Sequence, residues 1–204
     1  MYDLVPLFHN FKFKMSKSLF LRLWLLISSP SKAWKAISEE PLENKPYLSG
    51  FFYPLVGLVS LTAFLNPFIS GDQVFKEKLT DGIQQFIITF GSAFFGFFIA
   101  ARLLDWIFVR WFDQPKHRDK AEVLTAYALS PVLAVSIITR LVSDFFFLKI
   151  FFLYIFIIIW EASSGFYQID EKKQGAFTGI SGLIILITPI ILEIALRFIL
   201  PGLN

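Results

Sequence analysis

Long apolar runs without charge are the feature that most constrains what this chain can fold into. Four of them span 17 to 20 residues, and a fifth run, 145–166, is interrupted only by Lys149 and Glu161. A helix needs about 20 residues to cross a hydrocarbon core of about 30 Å. The sequence therefore predicts five transmembrane helices, at about 48–69, 83–109, 121–142, 145–167 and 175–200.

The composition of the chain agrees with a membrane protein. Charged residues make up 17% of the 204 residues, below the roughly 25% of a soluble domain, and the mean hydropathy is +0.62. Because the sequence contains no cysteine, a disulfide scaffold and a thiolate metal site are excluded. Membrane strands alternate apolar and polar residues, whereas 150–156 is apolar on every side. We therefore predict an all-α polytopic bundle.

Lysine and arginine residues indicate the orientation of this bundle. With a cytoplasmic N-terminus, fourteen of them lie on the cytoplasmic side of the five predicted helices and five on the other side. Basic residues near membrane helices favour the cytoplasmic side. We expect the C-terminus to lie outside the cytoplasm.

Residues 1–47 are predicted to form a basic cytoplasmic or interfacial region that precedes the transmembrane domain, 48–204. The apolar stretch 19–27 is broken by Arg22 and is too short to span a membrane. A second short helix is predicted to begin at Pro30, since proline is favoured in a first helical turn.

This second helix carries an apolar stripe that includes Trp34, flanked by Lys32 and Lys35. One interpretation is a helix in the headgroup region, with these three residues in contact with the membrane surface. The other is a helix packed on the cytoplasmic mouth of the bundle. The sequence leaves both open.

Several short motifs occur in an order that resembles a known family. Residues 29–37 read SPSKAWKAI, Tyr47 and Pro54 open the first span, and 127–131 read YALSP within the third. Trp160 comes late in the fourth span, and a fifth span ends the chain. From about residue 20 onward the chain resembles bacterial members of the Yip family, the Ypt/Rab-interacting membrane proteins.

The resemblance implies a five-span helical fold in a bacterial cytoplasmic (inner) membrane. Eukaryotic members are implied to bind prenylated Rab-type GTPases through a long acidic and aromatic N-terminal region. This chain has a short basic N-terminus instead, so small GTPase binding is not predicted for it.

Charged residues inside membrane helices are costly and often mark functional positions. Three pairs are spaced to share a helix face, and Glu161 has no basic residue within one turn. Self-paired charges at helix ends are one interpretation, and a polar path or lipid-headgroup site is the other. Glu161 is either exposed to water beyond the end of the fourth span or an acid within the membrane. The candidate polar site comprises Glu161, Glu193, Arg197, Arg140, Asp144, Arg102 and Asp105.

Small residues recur every four positions in two of the predicted helices, a spacing that lets helices approach closely. They are candidates for packing within the bundle or between copies. These positions are Ser92, Gly96, Ala100, Gly175 and Gly179.

No motif in the sequence indicates catalysis, a metal or a cofactor. The basic residues are explained by membrane topology, so nucleic-acid binding is not predicted. We expect a non-enzymatic scaffold or adaptor that contacts membrane lipids and other membrane proteins or a second copy of itself. The alternative is a transporter, channel or lipid-moving protein that uses the buried charges.

Overall fold

The structure is a computed structural model, and it describes residues 19–40, 45–70 and 74–200. These residues are almost entirely helical, and no strand occurs among them. The α-helices are α1 (Leu19–Ser28), α2 (Pro30–Ser38), α3 (Tyr53–Ser70), α4 (Phe75–Trp111), α5 (Arg118–Leu141), α6 (Tyr154–Gly165) and α7 (Glu171–Ile199).

Two irregular helical segments complete the bundle. A π-helical turn, Leu48–Phe52, leads into α3, and a 3-10 segment, Ser143–Leu153, leads into α6. Five helices are long and apolar enough to cross a membrane: Leu48–Ile69, Phe75–Trp111, Arg118–Leu141, Asp144–Gly165 and Glu171–Ile199. The fold is the all-α polytopic bundle that the apolar runs predict.

The second of these helices begins eight residues earlier than the charge-free run suggests, at Phe75 rather than 83. Its first turns carry Lys76, Glu77, Lys78 and Asp81 on one continuous helix. A helix satisfies its own backbone hydrogen bonds in lipid and in water alike. Charge-free length therefore predicts where a helix lies in the membrane and not where it starts.

Helix α5 lies at the centre of the bundle and contacts α3, α4, α6, α7 and the 3-10 segment. Eleven consecutive residues, 121–131, are buried in its first half. Ala121, Ala126, Ala128 and Ser130 are small enough for several helices to approach closely. A helix buried on all sides positions its few polar side chains against its neighbours.

The antiparallel spans give the bundle two ends. We call the end that holds α2, residues 45–52 and the connections 112–117 and 166–170 the N-terminal end. The end where α5 and α7 finish is the C-terminal end. Helix α2 packs against α6 at the N-terminal end.

Candidate functional site

A buried carboxylate, Glu122, is the centre of the main polar cluster at the N-terminal end. Its side chain is only 1% exposed. Its Oε2 accepts hydrogen bonds from the Tyr47 hydroxyl at 2.9 Å and the Lys45 ammonium at 2.8 Å, and its Oε1 accepts from Arg118 Nε at 2.9 Å. Lys45 also pairs with Asp119 at 3.0 Å. Three donors compensate the burial of this charge, so the segment before α3 is fixed to α5.

The backbone of Lys45 is part of this arrangement. Its φ of 46° lies in the left-handed region, which residues other than glycine rarely adopt. Its ammonium group forms the two ion pairs that join this residue to α5. The hydrogen bond to Glu122 raises the pKa of Lys45 above its ordinary value, against the effect of burial. Burial raises the pKa of Tyr47, and its hydrogen bond to Glu122 adds to this, so both groups keep their protons.

A second polar contact ties α1 to the same end of the bundle. Arg22 donates to Glu40 Oε2 at 2.9 Å and to the Tyr127 hydroxyl at 2.5 Å. Burial would lower the pKa of Arg22, but attraction to Tyr127 and Glu40 outweighs it and raises that pKa. Tyr127 also stacks on Phe51 with ring centroids 4.7 Å apart. The charge that interrupts the apolar stretch of α1 is thus a tether to α5.

Trp34 is the third tether, and it corrects one of the two sequence interpretations. The side chain is 1% exposed, and its Nε1–H donates to the Ile158 carbonyl of α6 at 2.8 Å. Its ring contacts Tyr127 edge-on at 6.0 Å and Phe166 at 5.3 Å. Trp34 is therefore covered by protein and does not contact the membrane surface, because the apolar stripe of α2 faces α6.

Lys32 and Lys35, the other two candidate surface residues, are exposed on the outer side of α2. Neither forms an ion pair within the described ranges 19–40, 45–70 and 74–200. Their contact with lipid headgroups stays a prediction.

The candidate intramembrane charges do not form one site. Glu193 and Arg197 pair at 2.8 Å near the end of α7, as their spacing predicts, and Arg197 also donates to Gln85 at 3.2 Å. Arg140 lies close to this pair and lines the same cavity as Glu193. Asp144 is exposed, and the described part of the chain does not pair it with Arg140.

The remaining candidates lie towards the N-terminal end. Asp105 is 8% exposed and accepts the His117 backbone N–H at 3.2 Å. Arg102 is exposed, and within the described residues it forms no ion pair with Asp105. Glu161 is half-buried near the end of α6, far along the bundle from Glu193. These residues therefore do not form a single polar path through the bundle.

The small-residue candidates fall into two groups, one that packs between helices of the bundle and one with open space beside it. Ser92 and Ala100 are buried, and a Cβ added to Gly96 would lie 3.0 Å from Pro189 Cα, so α4 and α7 cross closely there. A Cβ on Gly175 or Gly179 would meet no atom within 4 Å. The part of these two glycines in packing therefore stays a prediction: spacing predicts a smooth helix face but not what covers it.

Sequence reasoning missed the cluster around Glu122. One signal pointed to part of it: Arg118 and Glu122 are four residues apart. Lys45 and Tyr47 are separated from Glu122 by 77 and 75 positions in the sequence, and no local pattern reveals contacts over such distances.

The fold and its polar cluster define an all-α polytopic membrane protein with two short helices fixed to one end. The Yip1 domain family model matches residues 24–192. The chain therefore belongs to the Yip family, as the order of its motifs predicts. Comparison with curated proteins and with solved structures gives no match.

Proposed function

We propose that this protein is a non-enzymatic scaffold of a bacterial cytoplasmic membrane, which binds other membrane proteins through α1. The observation that carries the proposal is a contrast within α1. Arg22 and Leu26 face the bundle, whereas Phe20, Leu21 and Trp24 are 66%, 63% and 61% exposed. On a helix too short to span a membrane, an exposed apolar patch is typical of a surface that contacts another membrane protein or lipid, and aromatic side chains are its usual anchors.

The tethers supply the second requirement of a scaffold, which is a fixed binding surface. Trp34 bonds to a backbone carbonyl of α6, and Arg22 bonds to Tyr127 of α5. Because these side chains are held, α1 and α2 lose little further freedom when a partner binds. Lys32 and Lys35 lie beside this surface and suit anionic headgroups of the cytoplasmic leaflet.

The open face of α7 offers a further contact. Gly175 and Gly179 have space above them in this chain, so a helix of a partner or of a second copy can approach closely there. We assign it the secondary role, since the glycines supply access and not an anchor.

Site-specific crosslinking in native membranes tests this function. A photoreactive residue at Trp24 is expected to give a reproducible adduct with a membrane protein, and the Phe20→Ala/Leu21→Ala variant to weaken it. Trp106 of α4 is the matched control, since it is 58% exposed on a helix to which no partner contact is assigned. Lipid adducts alone at both positions would refute the scaffold.

The proposed orientation has its own test, which the absence of cysteine makes simple. Single cysteines at Lys35 and Lys76 lie at opposite ends of the bundle. A membrane-impermeant thiol reagent applied to intact cells is expected to label position 76 and not position 35. The reverse pattern would invert the orientation.

A transporter or lipid-moving protein is the second candidate, and one observation favours it. Arg140 and Glu193 line a cavity of about 120 Å³ at the C-terminal end. Reconstituted vesicles would then show solute or lipid flux that Arg140→Gln abolishes. Flux equal to that of protein-free vesicles would remove this candidate.

A further inference from the structure

The cavity at the C-terminal end lies between α3, α4, α5, the 3-10 segment and α7. Its volume is about 120 Å³, close to the roughly 150 Å³ of an apolar protein cavity that takes up benzene. Most of its wall is apolar, with Leu133, Phe152 and Leu186 among the larger side chains. The space suits a short stretch of hydrocarbon.

One polar group in the wall has nothing to bind. The Thr89 hydroxyl is buried without a hydrogen-bond partner among the described residues, and the residue is 5% exposed. The other two hydroxyls of the wall bond to their own helices: Ser92 to the Thr89 carbonyl at 3.2 Å and Ser136 to the Val132 carbonyl at 2.7 Å. The Thr89 oxygen itself is covered by neighbouring atoms, so it is a buried unsatisfied hydroxyl beside the cavity and not a group that the cavity exposes.

The charges around the cavity leave a positive balance. The Arg140 guanidinium has no hydrogen bond or ion pair with any described residue. The charged groups acting on it are Glu193, which attracts it, and Arg197, which repels it. Glu193 is already bonded to Arg197 at 2.8 Å. Two cations therefore face one anion, and an arginine inside a membrane helix calls for a counterion.

The position of Arg140 sets the depth of this charge in the membrane. It is the penultimate residue of α5, and the partners of the ion pair lie within the last seven residues of α7. Helix ends of this kind lie at the level of the lipid headgroups. An apolar cavity beside an unpaired cation at this depth matches an amphiphile with an anionic head.

We propose that this cavity binds a membrane phospholipid, with its phosphate on the Arg140 guanidinium and the adjoining part of an acyl chain in the apolar wall. Arginine binds phosphate oxygens with paired, charge-assisted hydrogen bonds. The site is at the opposite end of the bundle from α1 and α2, so the proposal of a lipid site does not depend on the scaffold function.

Native mass spectrometry of the full-length protein tests the proposal. The protein is delipidated in mild detergent and titrated with phosphatidylglycerol, phosphatidylcholine or inorganic phosphate. We expect one tightly retained phosphatidylglycerol, and an affinity about tenfold weaker in Arg140→Gln, the size expected for loss of a charged hydrogen bond. Arg102→Gln is the matched control, because Arg102 is exposed and distant from the cavity, and its affinity should equal that of the unaltered protein.

Two further variants keep the test informative if Arg140→Gln does not fold. Arg140→Lys keeps the charge and is expected to retain most of the lipid. Ala93→Leu fills the cavity wall without altering a charge and is expected to lose the lipid. Equal retention in the unaltered protein and in Arg140→Gln would overturn the proposal. Inorganic phosphate that displaces all retained lipid would overturn it too, since the site would then bind a free anion.

Discussion

Two charged residues of α5, Glu122 near the N-terminal end and Arg140 near the C-terminal end, differ in how their charges are satisfied. At the N-terminal end, Glu122 is buried but accepts three hydrogen bonds, one from each of three residues. At the C-terminal end, Thr89 and Arg140 have no partner among the described residues. Both ends contain an arginine or lysine close to the membrane boundary, so composition alone does not distinguish them.

This difference separates a structural role from a binding role. A satisfied polar cluster fixes one arrangement of the chain, and removing any member leaves the others exposed to a desolvation cost. An unsatisfied group beside a cavity gains its partner from a ligand. We therefore expect an apolar substitution at Glu122 to destabilise the bundle, and one at Thr89 to be tolerated.

Glu122→Ala is expected to have the largest effect. It leaves the donors Lys45, Tyr47 and Arg118 without their shared acceptor and opens a gap beside α5. We expect the free energy of unfolding to fall by about 2–4 kcal/mol. This is less than the usual cost of breaking a fully buried ion pair, because Lys45 and Arg118 are partly exposed. Thermal unfolding in detergent, followed by circular dichroism, measures it.

The control for this loss is Asp113→Asn, which removes the charge that pairs with Lys173 and keeps a residue type that tolerates the left-handed φ of 54° at this position. The side chain of Asp113 is 84% exposed, so we expect a change below about 0.5 kcal/mol. Equal losses in the two variants would mean that the Glu122 cluster is no more than a surface contact.

Trp34→Phe is expected to have the next largest effect. It keeps the aromatic packing on Tyr127 and removes the hydrogen bond to the Ile158 carbonyl. The free energy of unfolding should fall by about 1–2 kcal/mol, and backbone amide hydrogen exchange should become faster across α2. Trp24→Phe, on the exposed face of α1, should change neither quantity.

Thr89→Val is expected to act with the opposite sign. Valine has nearly the shape of threonine and removes a buried hydroxyl that has no partner. In delipidated protein we expect a gain of about 1 kcal/mol in the free energy of unfolding. A loss of similar size would show that the Thr89 hydroxyl is satisfied, as Glu122 is, and the contrast between these two positions would disappear.

Alkaline pH should produce the smallest effect. Folding raises the pKa of Lys45 above its ordinary 10.5, and raises that of Tyr47 as well. Their contribution to stability is therefore fully present below the unfolded pKa values and is lost as pH rises above about 10. Because Lys45 is partly exposed, we expect less than about 1 kcal/mol from it. Lys45→Met should flatten the decline between pH 9 and 11, whereas an unchanged decline would place its cause elsewhere.

Much of the fold followed from the sequence for simple physical reasons. Charge-free runs locate lipid-crossing helices because water is absent along their length, and Pro30 began α2 as expected. Local patterns could not show what covers a helix face: the stripe with Trp34 meets α6, whereas Gly175 and Gly179 meet nothing. The Glu122 cluster could not be predicted, because Lys45 and Tyr47 reach Glu122 only when the segment before α3 packs against α5.

The central claim is that α1 and α2 are fixed to the N-terminal end of the bundle by Arg22 and Trp34. Spin labels on single cysteines at Lys35 of α2 and Lys172 of α7, in lipid nanodiscs, measure this most directly by pulsed electron resonance. We predict one narrow distance distribution, which broadens in the Arg22→Gln/Trp34→Phe variant. A broad distribution in the chain with both tethers intact, unchanged in that variant, would contradict the account.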